Sequence, residues 1–276
     1  MNFAILGDDP AVLPFVQAIQ KAQDHSVTHA VVQDEEIVKQ LMVAFPSLQI
    51  VTAWEELLSV AELDAIIVSG YAESALQGAK QLVAAGKSLL IFPDIRQDSA
   101  WIYEMSLVRD DSQAVMIPVF PLRENSHVHN LQAILAAGRI GKVLHLQFDR
   151  EIQVKSAKDV ALLMTVDSLN RSLLGDVDLV RTIGGEYNRI TALHSGKVDG
   201  QVALAIVTLS GTDVPEVTWT ARPVAAESRW SLRVVGENGE FTLSSTAETS
   251  PELSLQGPGV DESTIPVSNK IGRAPV

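Results

Sequence analysis

Hydrophobic positions in the first 120 or so residues fall into two alternating rhythms. Short apolar runs at Phe3–Leu6, Val27–Val32, Gln49–Val51, Ala65–Val68, Leu89–Phe92 and Val115–Val119 predict strands, and the last three read as strands buried on both faces. Between them lie amphipathic stretches. From Ala11 to about Gln23, the residues Val12, Phe15, Val16 and Ile19 recur at the i, i+3, i+4, i+7 spacing of a helix packed on one side. Glu35–Ala44, Glu73–Ala85 and Ser99–Arg109 carry the same signature. Buried strands alternating with helices predict a parallel sheet covered on both faces.

The rhythm changes after Gly138. Val143-Leu-His-Leu-Gln-Phe-Asp149 alternates strictly and predicts an antiparallel strand with one exposed face. A helix is expected within residues 157–183. Strands follow at Arg189–Leu193, Val202–Leu209, Glu216–Ala221, Trp230–Val235 and Phe241–Leu243, with Gly236-Glu-Asn-Gly239 as a hairpin turn. The expected organisation is a Rossmann-like parallel-sheet domain over residues 1–122, an α+β domain with a large, mostly antiparallel open sheet over 123–256, and a loose polar tail over 257–276.

Composition narrows the function. The 276 residues include 34 acidic against 21 basic side chains, a formal net charge of −13, so nucleic acid and anionic membranes are unfavourable partners. There is no cysteine, which removes disulfides, thiolate metal sites and cysteine nucleophiles. No apolar run approaches the roughly 20 residues of a membrane helix and the start has no signal-peptide character, so a cytoplasmic protein is expected.

Three stretches in order resemble the glucose–fructose oxidoreductase/inositol dehydrogenase/MocA-type (Gfo/Idh/MocA) family. Asp64-Ala-Ile-Ile-Val-Ser through Ala84-Ala-Gly-Lys87 is similar to the strand and helix before the family's Glu-Lys-Pro motif. Val119-Phe-Pro-Leu-Arg123 followed by Ile134-Leu-Ala-Ala-Gly-Arg-Ile-Gly-Lys-Val-Leu-His145 resembles the family's passage into its second domain. Leu232-Arg-Val-Val-Gly-Glu-Asn-Gly-Glu-Phe241 resembles a late hairpin of its large sheet. The resemblance covers most of residues 1–245. It implies a dinucleotide-binding domain, NAD or NADP as cofactor, sugar- or polyol-like substrates, and homo-oligomers formed through the C-terminal sheet.

The residues at the family's functional positions depart from its pattern. A Gly-x-Gly-x-x-Gly turn works because bare backbone lets a pyrophosphate reach N–H groups at a helix N-terminus. Here the turn reads Gly7-Asp8-Asp9-Pro10-Ala11-Val12, with Asp9 at the second glycine position and Val12 at the third. One like-charge pair at about 5 Å costs on the order of 3 kcal/mol at an effective dielectric near 20. A capping role is the competing reading: Asp8 or Asp9 closes the helix start and Pro10 sits in its first turn. After the second strand, Asp34 or Gln33 could read a ribose, or the acidic run could simply favour a helix N-terminus.

By the resemblance, Ser69, Gly70 and Tyr71 line the cofactor, and Ala75 stands at the family's histidine after strand four. Pro93 stands at the lysine of Glu-Lys-Pro. Arg171, Gly175 and Asp178 stand at the aspartate, histidine and final aspartate of the later catalytic helix. A dehydrogenase needs a group that moves a proton on or off the carbinol oxygen, an effect of typically about 10²–10⁴-fold. Proline and glycine cannot supply it.

Arg123 falls on the family's Arg-Arg position and is the candidate ligand-cleft residue, with Lys155, Lys158, Arg171 and Arg181 as further cations. The competing reading for all five is salt bridging in an acidic protein. His127 and His129, two apart on a predicted helix, point to different sides and make a poor metal pair. His25, His29, His145 and His194 lack ligand spacing, so no metal is expected. Tyr71 could stack on a ring or line a filled cleft, and the tryptophans default to packing. Three readings follow: a non-catalytic member of the family binding a small, sugar-like ligand or a partner subunit; an active NAD(P)-dependent dehydrogenase with non-standard residues; or a structural subunit working through its open sheet.

Overall fold

The computed structural model describes residues 1–22, 24–94, 96–97, 99–154, 162–196, 200–245 and 253–258. The chain divides into two compact units, Met1–Phe120 and Pro121–Val276.

The first unit contains β1 (Asn2–Leu6), α1 (Leu13–Lys21), β2 (Ser26–Val31), α2 (Glu35–Ala44), β3 (Gln49–Ile50), β4 (Ala65–Val68), α3 (Glu73–Ala84), β5 (Leu89–Ile91), α4 (Ser99–Ser112) and β6 (Met116–Pro118). Its six strands are parallel, in the order β3-β2-β1-β4-β5-β6. That order reverses direction between β1 and β4, the topological switch point where doubly wound sheets place ligands.

Alternation along β1 builds two cores. Phe3 and Ile5 pack with Val16, Ile19, Ile37 and Leu41 from α1 and α2, whereas Ala4 and Leu6 pack with Ala79, Leu82 and Met105 from α3 and α4. Two expectations need correction. The helix expected from Ala11 starts instead as a 3-10 turn, Pro10–Val12, before α1. The strand expected at Val115–Val119 as fully buried is the short edge strand β6, with Val115 55% and Ile117 49% exposed. An edge position also accommodates Pro118, which cannot donate to a ladder.

The second unit contains α5 (Ser126–Ala136), β7 (Val143–Gln153), β8 (Met164–Thr165), α6 (Val166–Gly184), β9 (Arg189–Ser195), β10 (Gln201–Val202), β11 (Leu204–Ser210), β12 (Glu216–Val224), β13 (Arg229–Gly236), β14 (Gly239–Ser245) and β15 (Leu253–Gln256). β8 and β10 pair alone, and the others form a seven-stranded sheet in the order β15-β14-β13-β7-β12-β11-β9. Leu146, Phe148, Trp219, Leu232, Val234 and Phe241 fill a core with Val128 and Leu131 of α5 and with Leu179 and Val180 of α6. The strand expected at Val143–Asp149 is longer and central. It is antiparallel to β13 but parallel to β12, which corrects its reading as a purely antiparallel strand. Of the expected tail, Gly257 and Pro258 directly follow β15; residues 259–276 lie outside the described residues.

Candidate functional site

At the C-terminal ends of β1 and β4, two strands approach so closely that position 7 has no room for a side chain. Gly7 has a φ of 111°, and a β-carbon there would stand 1.8 Å from the Ser69 carbonyl oxygen. Ser69 itself is fully buried, and its hydroxyl has no hydrogen-bond partner among the described residues.

The next two residues turn their carboxylates onto backbone donors. Asp9, 9% exposed, is the N-cap of the 3-10 turn, and the Ala11 N–H donates to its Oδ1 at 2.9 Å. Asp8 reaches across to the end of β2, where the N–H groups of Gln33 and Asp34 both donate to its Oδ1, at 2.5 and 3.0 Å. Asp34, the candidate ribose reader, caps α2 by accepting from the Glu36 and Ile37 N–H groups at 2.9 and 3.0 Å.

A cation absent from the sequence-based candidates completes this cluster. Arg96 forms a two-pronged ion pair with Asp94, donating from Nε at 2.8 Å, and its guanidinium lies 3.9 Å from Asp9. The same guanidinium stacks 3.6 Å from the ring centroid of Tyr71, which is 49% exposed. Gln97 donates to the carbonyls of Gly70 (3.2 Å) and Phe92 (3.3 Å), tying the β4 and β5 ends together. Pro93 precedes Asp94 and supplies no donor. Beside this cluster, still within the first unit, lies a cavity of about 230 Å³ lined in part by Asp8, Gln33, Thr52, Trp54, Glu55 and Ser74. Ala75 also lines it.

The other candidates lie in the second unit. Arg123 is bound through Nε and Nη2 to both oxygens of Asp178, which is 4% exposed, and the carboxylate pushes the Arg123 guanidinium further up in pKa. Arg171, Gly175 and Asp178 share α6. A β-carbon at Gly175 would meet nothing within 4 Å among the described residues. Arg181 pairs with Glu186. Lys155 and Lys158 fall outside the described residues. His127 lies in the first turn of α5, where desolvation lowers its pKa. Among the described residues no cluster of histidine and acidic side chains could hold a metal ion.

Two residues before Asp178, Asp176 belongs to a second pair enclosed in the core. Arg150 on β7 makes a two-pronged bond to Asp176, and the Trp219 indole N–H donates to the same carboxylate at 2.9 Å. Sequence reading passed over both residues, although the parity of Leu146, Phe148, Arg150 and Ile152 already places Arg150 on the core face.

A scan against family models finds no match, and a search of curated proteins finds none. Solved structures do match. The myo-inositol 2-dehydrogenase of Lactobacillus plantarum superposes with a TM-score of 0.72 at 17% identity, over 88% of this chain and 76% of that one. The scyllo-inositol dehydrogenase of Lactobacillus casei, with bound NAD(H) and scyllo-inositol, gives 0.73 at 14%, over 88% and 75%. The biliverdin reductase of Synechocystis sp. PCC 6803, in complex with biliverdin and NADP+, gives 0.68 at 12%, over 92% and 84%. This chain has the fold of the Gfo/Idh/MocA oxidoreductases. No helix among the described residues is long and apolar enough to cross a membrane.

Proposed function

We propose that the chain is a divergent member of the Gfo/Idh/MocA family that keeps the scaffold without hydride transfer. In this reading it works in the cytoplasm as a non-catalytic protein that binds a small ligand or a partner subunit. The observation that carries this reading is the pair of carboxylates after β1. A pyrophosphate needs bare backbone and open N–H groups at this turn. Here Asp9 takes the Ala11 N–H, and Asp8 takes those of Gln33 and Asp34 at the point where an adenosine ribose would be read. The nearest guanidinium, Arg96, is held by Asp94. These residues do not fit a dinucleotide.

The proton-transfer positions support the same reading. Pro93 and Gly175 have no ionisable group, and Asp178, the one acid retained, is bound to Arg123. Ligand-induced stabilisation tests the proposal. NAD+, NADH, NADP+ and NADPH at millimolar concentration are expected to leave the melting temperature unchanged, whereas saturation at 100 times Kd would add about 2.7 kcal/mol. A clear upward shift with any of the four, with reduction of NAD(P)+ by a sugar or polyol, would replace this reading with that of an active dehydrogenase using non-standard residues.

A further inference from the structure

We infer that the cavity beside the β1–α1 turn binds a small organic cation, an amine or quaternary ammonium group carrying an apolar body. The inference rests on the reading that no dinucleotide occupies this turn.

The cavity belongs entirely to the first unit, and at about 230 Å³ it is smaller than the roughly 300–1,000 Å³ of sites for drug-sized molecules. Among the described residues its lining carries two acidic side chains, Asp8 and Glu55, and neither lysine, arginine nor histidine. A concave wall of one sign focuses its field on the space it encloses. Asp8 is held in place by two backbone N–H groups on one carboxylate oxygen, so its charge faces little further ordering cost when a ligand arrives.

The neutral lining fits a donor ligand as well. The Thr52 hydroxyl gives its hydrogen to Glu56 at 3.2 Å, which leaves its oxygen to accept. Trp54 supplies an aromatic wall whose position is fixed from behind. A β-carbon at Gly78 of α3 would come within 2.6 Å of the Trp54 Cγ, so the absence of a side chain there is what lets the indole seat against the helix. An aromatic side chain and a fixed carboxylate lining one small space are the two elements that recognise an ammonium group with an apolar body.

Calorimetric titration of the full chain with three probes that share a phenylethyl body tests the assignment: phenethylamine, phenethyl alcohol and 3-phenylpropanoate. The amine is expected to bind at least about tenfold more tightly than the alcohol, with the carboxylate weaker still. Asp8→Asn keeps an acceptor for the two N–H groups while removing the charge, and should weaken the amine about tenfold without changing the alcohol. Trp54→Leu should weaken amine and alcohol together, and circular dichroism checks that both variants fold. Equal affinity for the three probes, no amine binding at millimolar concentration, or unaltered amine affinity in Asp8→Asn would each overturn the inference. A parallel titration with NAD+ and NADP+ separates the two proposals. Silence from dinucleotide and amine alike removes the cation site alone, whereas dinucleotide binding that competes with the amine removes the non-catalytic reading on which it rests.

Discussion

Gly175 sits in the interior of α6, a 19-residue helix, with open space where a β-carbon would stand. Glycine in a helix interior costs about 0.5–1 kcal/mol relative to alanine, so Gly175→Ala should stabilise the protein by that amount in urea unfolding. A loss of stability would mean the position is more crowded than its surroundings show. Tyr187 offers a second test. Its hydroxyl is buried without a partner among the described residues, and burial pushes its pKa up to about 12. The unfolded phenol titrates near 10, so the neutral form stabilises the fold below about pH 10, and that contribution is lost as pH rises toward about 12. Tyr187→Phe should therefore be neutral or mildly stabilising at pH 7 and should flatten the alkaline decline between those two pH values. An unchanged alkaline profile would place the titrating group elsewhere.

At the scale of elements, the Arg150–Asp176–Trp219 cluster ties α6 to the two central strands β7 and β12. Removing one partner of a buried pair leaves an uncompensated charge, so Asp176→Ala should cost about 3–5 kcal/mol, read from the urea midpoint at constant slope. A cost under about 1 kcal/mol would show that water reaches Arg150. This cluster also marks the limit of sequence reading. The strands were legible because apolar alternation and unbroken apolar runs are local signals, and α2 matched its expected span because Asp34, Glu35 and Glu36 open it cleanly. Pairing partners were not legible. The parallel match of β7 to β12 depends on residues some 70 positions apart, and nothing in Val143–Asp149 distinguishes it from an antiparallel neighbour. In the candidate site, the acidic turn Gly7-Asp8-Asp9-Pro10 could be read directly, because its residues are contiguous in the chain. The turn that brings Arg96 onto Asp94, Asp9 and Tyr71 could not, because that contact forms only when the β1, β4 and β5 ends meet.

For the whole molecule, we propose self-association through the seven-stranded sheet. One face is the core of the second unit. The other carries the polar cross-strand rows Arg222–Glu151–Arg229 and Thr220–Asp149–Ser231. The Arg229 and Arg222 guanidiniums hold the Glu151 carboxyl below its usual range. An interface built on such rows is wet and ionic, so an oligomer formed there should fall apart as salt rises. Light scattering at low salt is expected to give a multiple of 29.8 kDa that shrinks in about 1 M NaCl, near which the Debye length is ~3 Å. A constant 29.8 kDa species would remove the proposal.

The close approach at position 7 has a consequence for how such chains are sorted. A Gly-x-Gly-x-x-Gly fingerprint would count Gly7 toward a nucleotide site, yet the Ser69 carbonyl by itself demands a glycine there. Replacing it would tear apart the seam between two strands, and the resulting collapse would say nothing about any coenzyme. A glycine can thus wear the badge of a cofactor while serving only as a joint in the framework.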